Sequence, residues 1–310
     1  MRGKLAEHLN GFIDGVNQAI AQAKADGVIP NPELAREKLN SLSAFVTKVP
    51  DIAYANRTEL NKGEQKIPVK IFSPNPTKDL PVILFFHGGG HMCGDTELYD
   101  PMCRKIAINS SSVVISVDYR LSPENPYPAG LDDAELVVKH YQSIMTGVQF
   151  DKSRLYIAGD SAGGAICTSL TMRKHKDPDL RFTKQILIYP SVDYTMSSPS
   201  YNDNGVGFFL EKARVQWYFD NYFLNDEDRK ACSPLFAPID SDSPETLIII
   251  AGCDPLRDEG LLYADKLKEQ GIRVETKEFA NMIHAFMNIE DLVPEECSEL
   301  FTTIGGFVNS

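Results

Sequence analysis

The chain has 310 residues, of which 43% are hydrophobic and 24% charged, and its formal net charge at pH 7 is −12. This length and composition suit one large α/β domain or two smaller ones with a substantial core. The negative charge and the lack of a basic run argue against nucleic acid as a partner, because phosphate binding requires a basic face. An anionic membrane should also repel the chain.

The cysteines and the N-terminal residues indicate a reducing compartment. The cysteines lack C-x-x-C spacing and lie mostly among apolar or small residues, at positions Cys93, Cys103, Cys167, Cys232, Cys253 and Cys297. Such a distribution predicts reduced, buried thiols rather than disulfides or a zinc site. Residues 1–22 lack the apolar core of a signal peptide, and no apolar run reaches the ~18 residues of a membrane span. We therefore expect a soluble, cytoplasmic protein.

The chain begins with two predicted amphipathic helices. The first spans residues 5–20, and its apolar stripe consists of Leu5, Leu9, Phe12, Ile13, Val16 and Ile20. Asn31 followed by Pro32 predicts the N-cap and first turn of a second helix, which continues to about Phe45. These helices could either pack on the core or form a lid.

Strands and helices then alternate, which predicts right-handed crossovers and a parallel sheet. The expected strands are residues 67–72, 81–86, 112–117, 155–158, 185–189, 246–251 and 272–279. The expected helices are residues 97–109, 131–145, 163–176 and 255–270, and a last one that ends near residue 308. Pro68 suggests that the first strand lies at an edge, because proline cannot donate a ladder hydrogen bond.

Residues 194–232 interrupt this alternation. A loop-like stretch leads into a helix over 210–223, whose aromatic residues are Trp217, Tyr218, Phe219, Tyr222 and Phe223. Aromatic side chains around most of its circumference predict burial on several sides. The segment is either an excursion above the sheet or an extra surface helix of a larger α/β domain.

The sequence Gly-Asp-Ser-Ala-Gly over residues 159–163 lies between the strand 155–158 and a helix. Strand, sharp turn and helix are the context of the G-x-S-x-G nucleophile elbow. The flanking glycines would allow a tight turn that presents Ser161 Oγ at a helix N-terminus, where a developing anion is favoured. The pattern also occurs by chance in glycine–serine loops. Whether Ser161 is catalytic therefore depends on features in the rest of the chain.

Two further residues lie where acyl transfer needs them. Asp254 follows one buried strand and His284 follows the next, so the chain order is serine, acid, histidine, as in α/β hydrolases. The carboxyl ends of strands in such sheets share one crevice. His284 would accept the proton of Ser161 Oγ, and Asp254 would orient the imidazole.

Each of these residues also has a structural alternative. Asp258 competes for the role of the acid, although its position predicts a helix and pairing with Arg257 or solvent. A lone histidine between apolar neighbours, such as His284, is commonly structural. The chain order and the strand-end positions favour the catalytic interpretation.

His87 and three glycines follow the strand 81–86 directly. We expect the N–H groups of Gly88 and Gly89, together with that of Ala162, to form an oxyanion hole. The loop could instead cradle phosphate, but neither phosphate-loop pattern is present. The nearby His91, Cys93 and Asp95 also lie on a loop rather than at i,i+4 on a helix, so we expect no metal site.

Four motifs together resemble the hormone-sensitive lipase family of bacterial carboxylesterases: His87–Gly90, the elbow at 159–163, Asp254–Glu259 and His284–Phe286. The aspartate of the elbow is similar to that of the GDSAG subgroup. Residues 118–124 resemble the family's Tyr-Arg-Leu-Ala-Pro-Glu segment, which supports the floor of the active site. The match covers about residues 65–290.

This resemblance implies an α/β-hydrolase fold, in which helices flank a mostly parallel central sheet. The catalytic domain would comprise residues 48–193 and 233–310, and a helical cap would comprise residues 1–47 and 194–232. It further implies hydrolysis of small-molecule, short- to medium-chain esters through an acyl-enzyme, without a cofactor. Many members of the family are dimers, so a homodimer is a further expectation.

The chain departs from the family beside the glycines and after the histidine. The family usually has an aromatic residue where this chain has His91 followed by Met92, and a glycine where it has Ala285. These differences affect the shape of the acyl pocket rather than a catalytic group. The predicted substrate contacts are His91, Met92, Phe209 and Trp217. The other bulky cap residues, Phe12, Phe208 and Tyr218, could line the pocket or pack within the cap.

Other functions of this fold remain as alternatives. A hormone receptor is disfavoured because receptors of this type lack the catalytic histidine. Amidases, peptidases and lipases share the acyl chemistry, so the three catalytic residues do not separate them. The charged residues in the aromatic helix favour soluble substrates over long-chain lipids: Glu211, Lys212, Arg214 and Asp220.

Overall fold

The computed structural model describes residues 1–174 and 176–310. Within them, eight strands form one sheet: β1 (Tyr54–Lys62), β2 (Gln65–Ser73), β3 (Leu80–Phe86), β4 (Val113–Val117), β5 (Phe150–Asp160), β6 (Lys184–Ile188), β7 (Glu245–Cys253) and β8 (Val274–Ile283). Their order is β1-β2-β4-β3-β5-β6-β7-β8. β2 pairs antiparallel with β1 and β4, and all other pairs are parallel, which confirms the predicted sheet.

The α-helices of the described residues are α1 (Asn10–Ala25), α2 (Pro32–Asn40), α3 (Asp100–Ser110), α4 (Ala129–His140), α5 (Ala162–Lys174), α6 (Ser200–Asp203), α7 (Lys212–Tyr222), α8 (Arg229–Cys232), α9 (Arg257–Glu269) and α10 (Pro294–Asn309). Short 3₁₀ turns continue α2 and α4 and precede α10. As predicted, Asn31 caps α2, since its side chain accepts the N–H of Leu34 at 2.9 Å. In this part of the chain, no helix combines the length and apolar character needed to cross a bilayer.

The sheet separates two hydrophobic clusters, because successive side chains of a strand point to opposite faces. In β3, Ile83 and Phe85 belong to the cluster that contains α3 and α10. The alternate residues Val82, Leu84 and Phe86 belong to the cluster that contains α4, α5 and α9. Helices therefore cover both faces, which explains why the inner strands are continuously apolar.

The prediction that Pro68 marks an edge strand is wrong. The edge is β1, whose polar sequence carries no strand pattern, and β2 lies inside it. Pro68 directly precedes Val69, the residue at the end of the β2–β4 register, and its carbonyl accepts the N–H of Asp118 at 2.9 Å. The nitrogen of Pro68 faces β4, as its carbonyl does. The lack of an N–H therefore removes one hydrogen bond at the end of the β2–β4 ladder and none within the ladder.

The aromatic helix α7 is buried on more than one side, as predicted. Phe219 and Tyr222 belong to a cluster formed mainly by residues 194–223. Trp217 and Tyr218 pack instead against a small cluster that includes Ala35 of α2. Helix α7 therefore contacts the N-terminal segment.

Candidate active site

Ser161, Asp254 and His284 meet at the carboxyl ends of three strands, after β5, β7 and β8 respectively. His284 Nε2 lies 2.8 Å from Ser161 Oγ, and His284 Nδ1 lies 2.7 Å from Asp254 Oδ2. The carboxylate is fully buried and the histidine is 5% exposed. Asp254 thus fixes the ring so that Nε2 can accept the hydroxyl proton, which is the arrangement used for nucleophilic acyl transfer.

The competing acid, Asp258, lies in α9 and pairs with Arg257 at 3.2 Å. The second oxygen of Asp254 accepts the N–H of Leu256 at 2.8 Å. Both carboxylate oxygens of Asp254 are therefore held in place, one by the backbone and one by His284.

The turn that presents Ser161 is tight and strained. Ser161 has a φ of 53°, in the left-handed region that side chains other than glycine rarely adopt. A Cβ on Gly159 would lie 2.4 Å from the backbone of Gly163, and a Cβ on Gly163 would lie 1.8 Å from Phe86 O. Both flanks therefore require glycine. The Ser161 N–H donates to Ile188 O at 2.9 Å, which ties the turn to β6.

The glycine loop lies beside this turn, but Gly88 is not free to act as an oxyanion donor. Its N–H donates to Asp160 Oδ1 at 2.7 Å, so the prediction for Gly88 is wrong. Gly89, Gly90 and Ala162 line the cavity, and no described residue accepts a hydrogen bond from their N–H groups. The partner of Gly88 is 72 residues away in sequence, and the motif alone does not identify it. Gly90, the third glycine of the same motif, replaces Gly88 as a candidate donor.

Asp160 connects the elbow to the glycine loop. Besides the Gly88 N–H, it accepts the hydroxyl of Tyr99 at 3.1 Å through Oδ2. Burial raises the pKa of Asp160 to about 7, although both hydrogen bonds favour the charged form. A Cβ on Gly88 would lie 2.4 Å from Asp160 Oδ2, so this glycine is required for the contact.

The segment 118–124 supports the glycine loop from below. The Tyr119 hydroxyl donates to His87 O at 2.6 Å, and the two rings stack with centroids 4.5 Å apart. The Ser122 N–H donates to His91 O at 2.8 Å. Both ends of the loop are thus held by this segment, consistent with the supporting role that the resemblance implies.

Two of the four predicted substrate contacts lie outside the cavity. Met92 is fully buried in a cluster with Ala35 and Cys93, and Trp217 packs against that cluster. Neither side chain therefore reaches the cavity above Ser161. Adjacent residues of a helix face different directions. On α7, Tyr218 faces the cavity and Trp217 does not.

His91 and Phe209 do line the cavity. The His91 ring stacks on Tyr222, with centroids 3.9 Å apart, and its Nε2 lies 3.3 Å from the Tyr194 hydroxyl. Burial lowers the pKa of His91 to about 3, so this side chain is neutral near pH 7. His91 therefore provides an aromatic wall, as the family's usual residue would.

The cavity above Ser161 has a volume of about 200 Å³. Its wall is mostly apolar and is built by Val16, Ile20, Ala35, Leu39, Leu42, Phe209, Leu210, Val215, Phe219 and Leu256. Val16 and Ile20 come from the predicted apolar stripe of α1. Phe12 packs on Phe45 and Phe209 instead, and Phe208 lies under the Arg2 guanidinium.

His87, His91, Cys93 and Asp95 do not form a group of metal ligands in the described residues. His87 Nδ1 lies 2.8 Å from Gly88 O. Over residues 1–174 and 176–310, no group of three or more His, Cys, Asp and Glu side chains is arranged to hold a metal ion.

Comparisons with known proteins show the family to which this chain is related. The α/β hydrolase fold family Abhydrolase_3 matches residues 83–288. The chain is 35% identical over 280 residues to Carboxylesterase NlhH of Mycobacterium tuberculosis, covering 87% of this chain and 85% of that protein. It is 31% identical over 235 residues to Ethyl acetate hydrolase of Pseudomonas putida, covering 74% of each. The structure of an esterase from Pyrobaculum calidifontis superimposes with a TM-score of 0.83 at 30% identity, covering 90% of this chain and 92% of that one.

The chain therefore belongs to the hormone-sensitive lipase family of α/β hydrolases and is a carboxylic ester hydrolase.

Proposed function

We propose that this esterase acts through a covalent acyl-enzyme on Ser161. The observation that carries the proposal is the unbroken chain of hydrogen bonds from Asp254 through His284 to Ser161 Oγ. Ser161 attacks the ester carbonyl while His284 accepts its proton, and His284 then gives that proton to the departing alcohol. Water repeats the sequence on the acyl-enzyme and releases the acid.

The N–H groups of Gly89, Gly90 and Ala162 would stabilise the oxyanion of each tetrahedral intermediate. They line the cavity beside Ser161 and have no other described acceptor. Loss of one such donor typically costs about 2.7–4 kcal/mol of transition-state stabilisation. The Asp160 contact with Gly88 would hold the loop in the required position.

The substrates proposed are soluble esters with short to medium acyl chains. The cavity of about 200 Å³ is smaller than the ~300–1,000 Å³ of sites for drug-sized ligands. Residues 1–47 and 194–232 would act as a cap, since α1, α2 and α7 all contribute to the wall of the cavity. The name of the Pseudomonas putida relative, an ethyl acetate hydrolase, supports a small substrate.

The test compares single variants on 4-nitrophenyl esters of increasing acyl length. Ser161→Ala should abolish turnover, and Asp254→Asn should lower kcat by several orders of magnitude, because the histidine loses its orienting charge. Asp258→Asn is the matched control and should retain kcat. Turnover that survives in Ser161→Ala would refute the nucleophile. A maximum rate at long chains with activation at an oil–water interface would refute the substrate class.

A further inference from the structure

Two cationic side chains lie in the mostly apolar wall of the cavity. Lys38 comes from α2 and Arg214 from α7, so each proposed cap segment contributes one. Asp160 is the only carboxylate among the described residues that line the cavity. Its oxygens accept hydrogen bonds from the Gly88 N–H and the Tyr99 hydroxyl, and it does not lie within 4.0 Å of the charged group of either cation.

The rest of the described chain does not neutralise them either. No carboxylate of residues 1–174 and 176–310 lies within 4.0 Å of the charged group of Lys38 or Arg214. Neighbouring cations are paired: Arg36 of α2 contacts Glu124 at 2.6 Å, and Lys24 of α1 contacts Glu211 at 3.6 Å. The nearby carboxylates thus pair with other cations. A cation that has no carboxylate partner and lies beside an apolar cavity is suited to bind an anion.

Arg214 is also close to the reacting centre. The Tyr218 ring packs on the glycine loop, since a Cβ on Gly90 would lie 2.5 Å from it. The Tyr218 hydroxyl lies beside the Arg214 side chain, one helical turn away on α7. One tyrosine side chain therefore separates Arg214 from the loop that would bind the ester carbonyl.

We propose that the enzyme prefers esters that carry a carboxylate in addition to the ester group, such as monoesters of dicarboxylic acids. Arg214 and Lys38 would hold the carboxylate, while the apolar wall contacts the methylene chain between the two groups. The net charge of −12 disfavours the approach of anions, so the selectivity depends on these local cations. This inference rests on the proposed esterase function and adds the charge of its substrate.

The test measures kcat/KM for mono-4-nitrophenyl adipate and for 4-nitrophenyl hexanoate, which have acyl chains of equal length. In the double variant Arg214→Gln, Lys38→Met, the adipate-to-hexanoate ratio should fall about tenfold. Arg214→Lys should retain most of the ratio, and raising NaCl from 10 to 500 mM should lower it in the wild type, because salt screens exposed charges. Lys212→Met is the matched control: Lys212 lies on α7 but bonds to Asn202 outside the cavity, and the ratio should not change.

The possible outcomes distinguish a failure of the anion site from a failure of the esterase proposal. A ratio that is unchanged in the double variant, or an equal loss for both esters, overturns the anion site. Wild-type turnover of hexanoate without turnover of adipate also overturns it and leaves the esterase proposal intact. A wild-type protein that hydrolyses neither ester overturns the esterase proposal itself.

Discussion

Asp160 shows how a single residue of the elbow can serve the neighbouring loop. Its side chain is 1% exposed and accepts two hydrogen bonds, from Gly88 and Tyr99. The elbow and the glycine loop are therefore joined directly behind Ser161. Because burial raises its pKa to about 7, the proton on this carboxyl is linked to the stability of the fold.

Replacing Asp160 by asparagine should change how stability depends on pH. The pKa of Asp160 is higher in the folded state than in the unfolded state. The stability that this carboxyl contributes is therefore fully present below its unfolded pKa of ~3.9 and is lost as the pH rises through about 7. The unfolding free energy of the wild type minus that of Asp160→Asn should thus fall from pH 4 to pH 7, by at most about 1.4 kcal/mol per pH unit. Urea titrations at several pH values measure this difference. A difference that rises with pH would contradict it.

At the scale of elements, one face of α7 lines the cavity and another packs against α2. Val215 and Tyr218 line the cavity, whereas Trp217 packs against the cluster that contains Ala35. Phe209, which precedes the helix, has a φ of 71° and reaches the same cavity. Substrate selectivity and cap stability should therefore respond to different aromatic residues.

We expect Phe209→Ala to enlarge the acyl site and Trp217→Ala to weaken the cap. The first variant should raise the ratio of octanoate to butyrate hydrolysis. The second should lose about 0.5–3 kcal/mol of stability, because Trp217 is only partly buried, and keep the wild-type ratio. A chain-length series combined with thermal unfolding separates the two effects. A shifted series in Trp217→Ala would show that this side chain contacts substrate after all.

The sequence predicts those elements well whose pattern is set by burial. The inner strands are continuous apolar runs because helices cover both faces, and the strand-end positions of Asp254 and His284 follow from the alternation with helices. Strand β1 is missed because an exposed edge leaves most of its residues polar. The occupied N–H of Gly88 and the inward face of α7 depend on contacts between distant segments, which no local pattern encodes.

At the scale of the whole molecule, the N-terminal segment is connected to Asp254, the proposed acid of the active site. Asn204 is fully buried and accepts the Gly3 N–H at 2.9 Å. Its amide donates to the carbonyls of Gly252 and Asp254, at 3.2 and 3.1 Å. One side chain thus joins the chain start, the proposed cap and the end of β7.

Substitution of Asn204 should therefore affect both stability and catalysis. Asn204→Ala removes three hydrogen bonds, although the Asp254 carbonyl still accepts the N–H of Arg257, and it should cost about 1–3 kcal/mol of stability. It should lower kcat less than Asp254→Asn does. Asn204→Asp should be worse, because it places an oxygen against two carbonyl oxygens. Asn202→Ala, at an exposed position bonded to Lys212, is the control and should change little. Equal stability of Asn204→Asp and the wild type, measured by urea unfolding, would contradict this account.

The most direct measurement of the central claim is covalent trapping with a 4-nitrophenyl alkylphosphonate, followed by peptide mass spectrometry. We expect one adduct per chain, located on Ser161, with loss of esterase activity in proportion to labelling. Ser161→Ala should take up no label, and His284→Ala should react far more slowly because Oγ loses its base. An adduct on another residue, or full activity after Ser161 is completely labelled, would show that Ser161 is not the nucleophile.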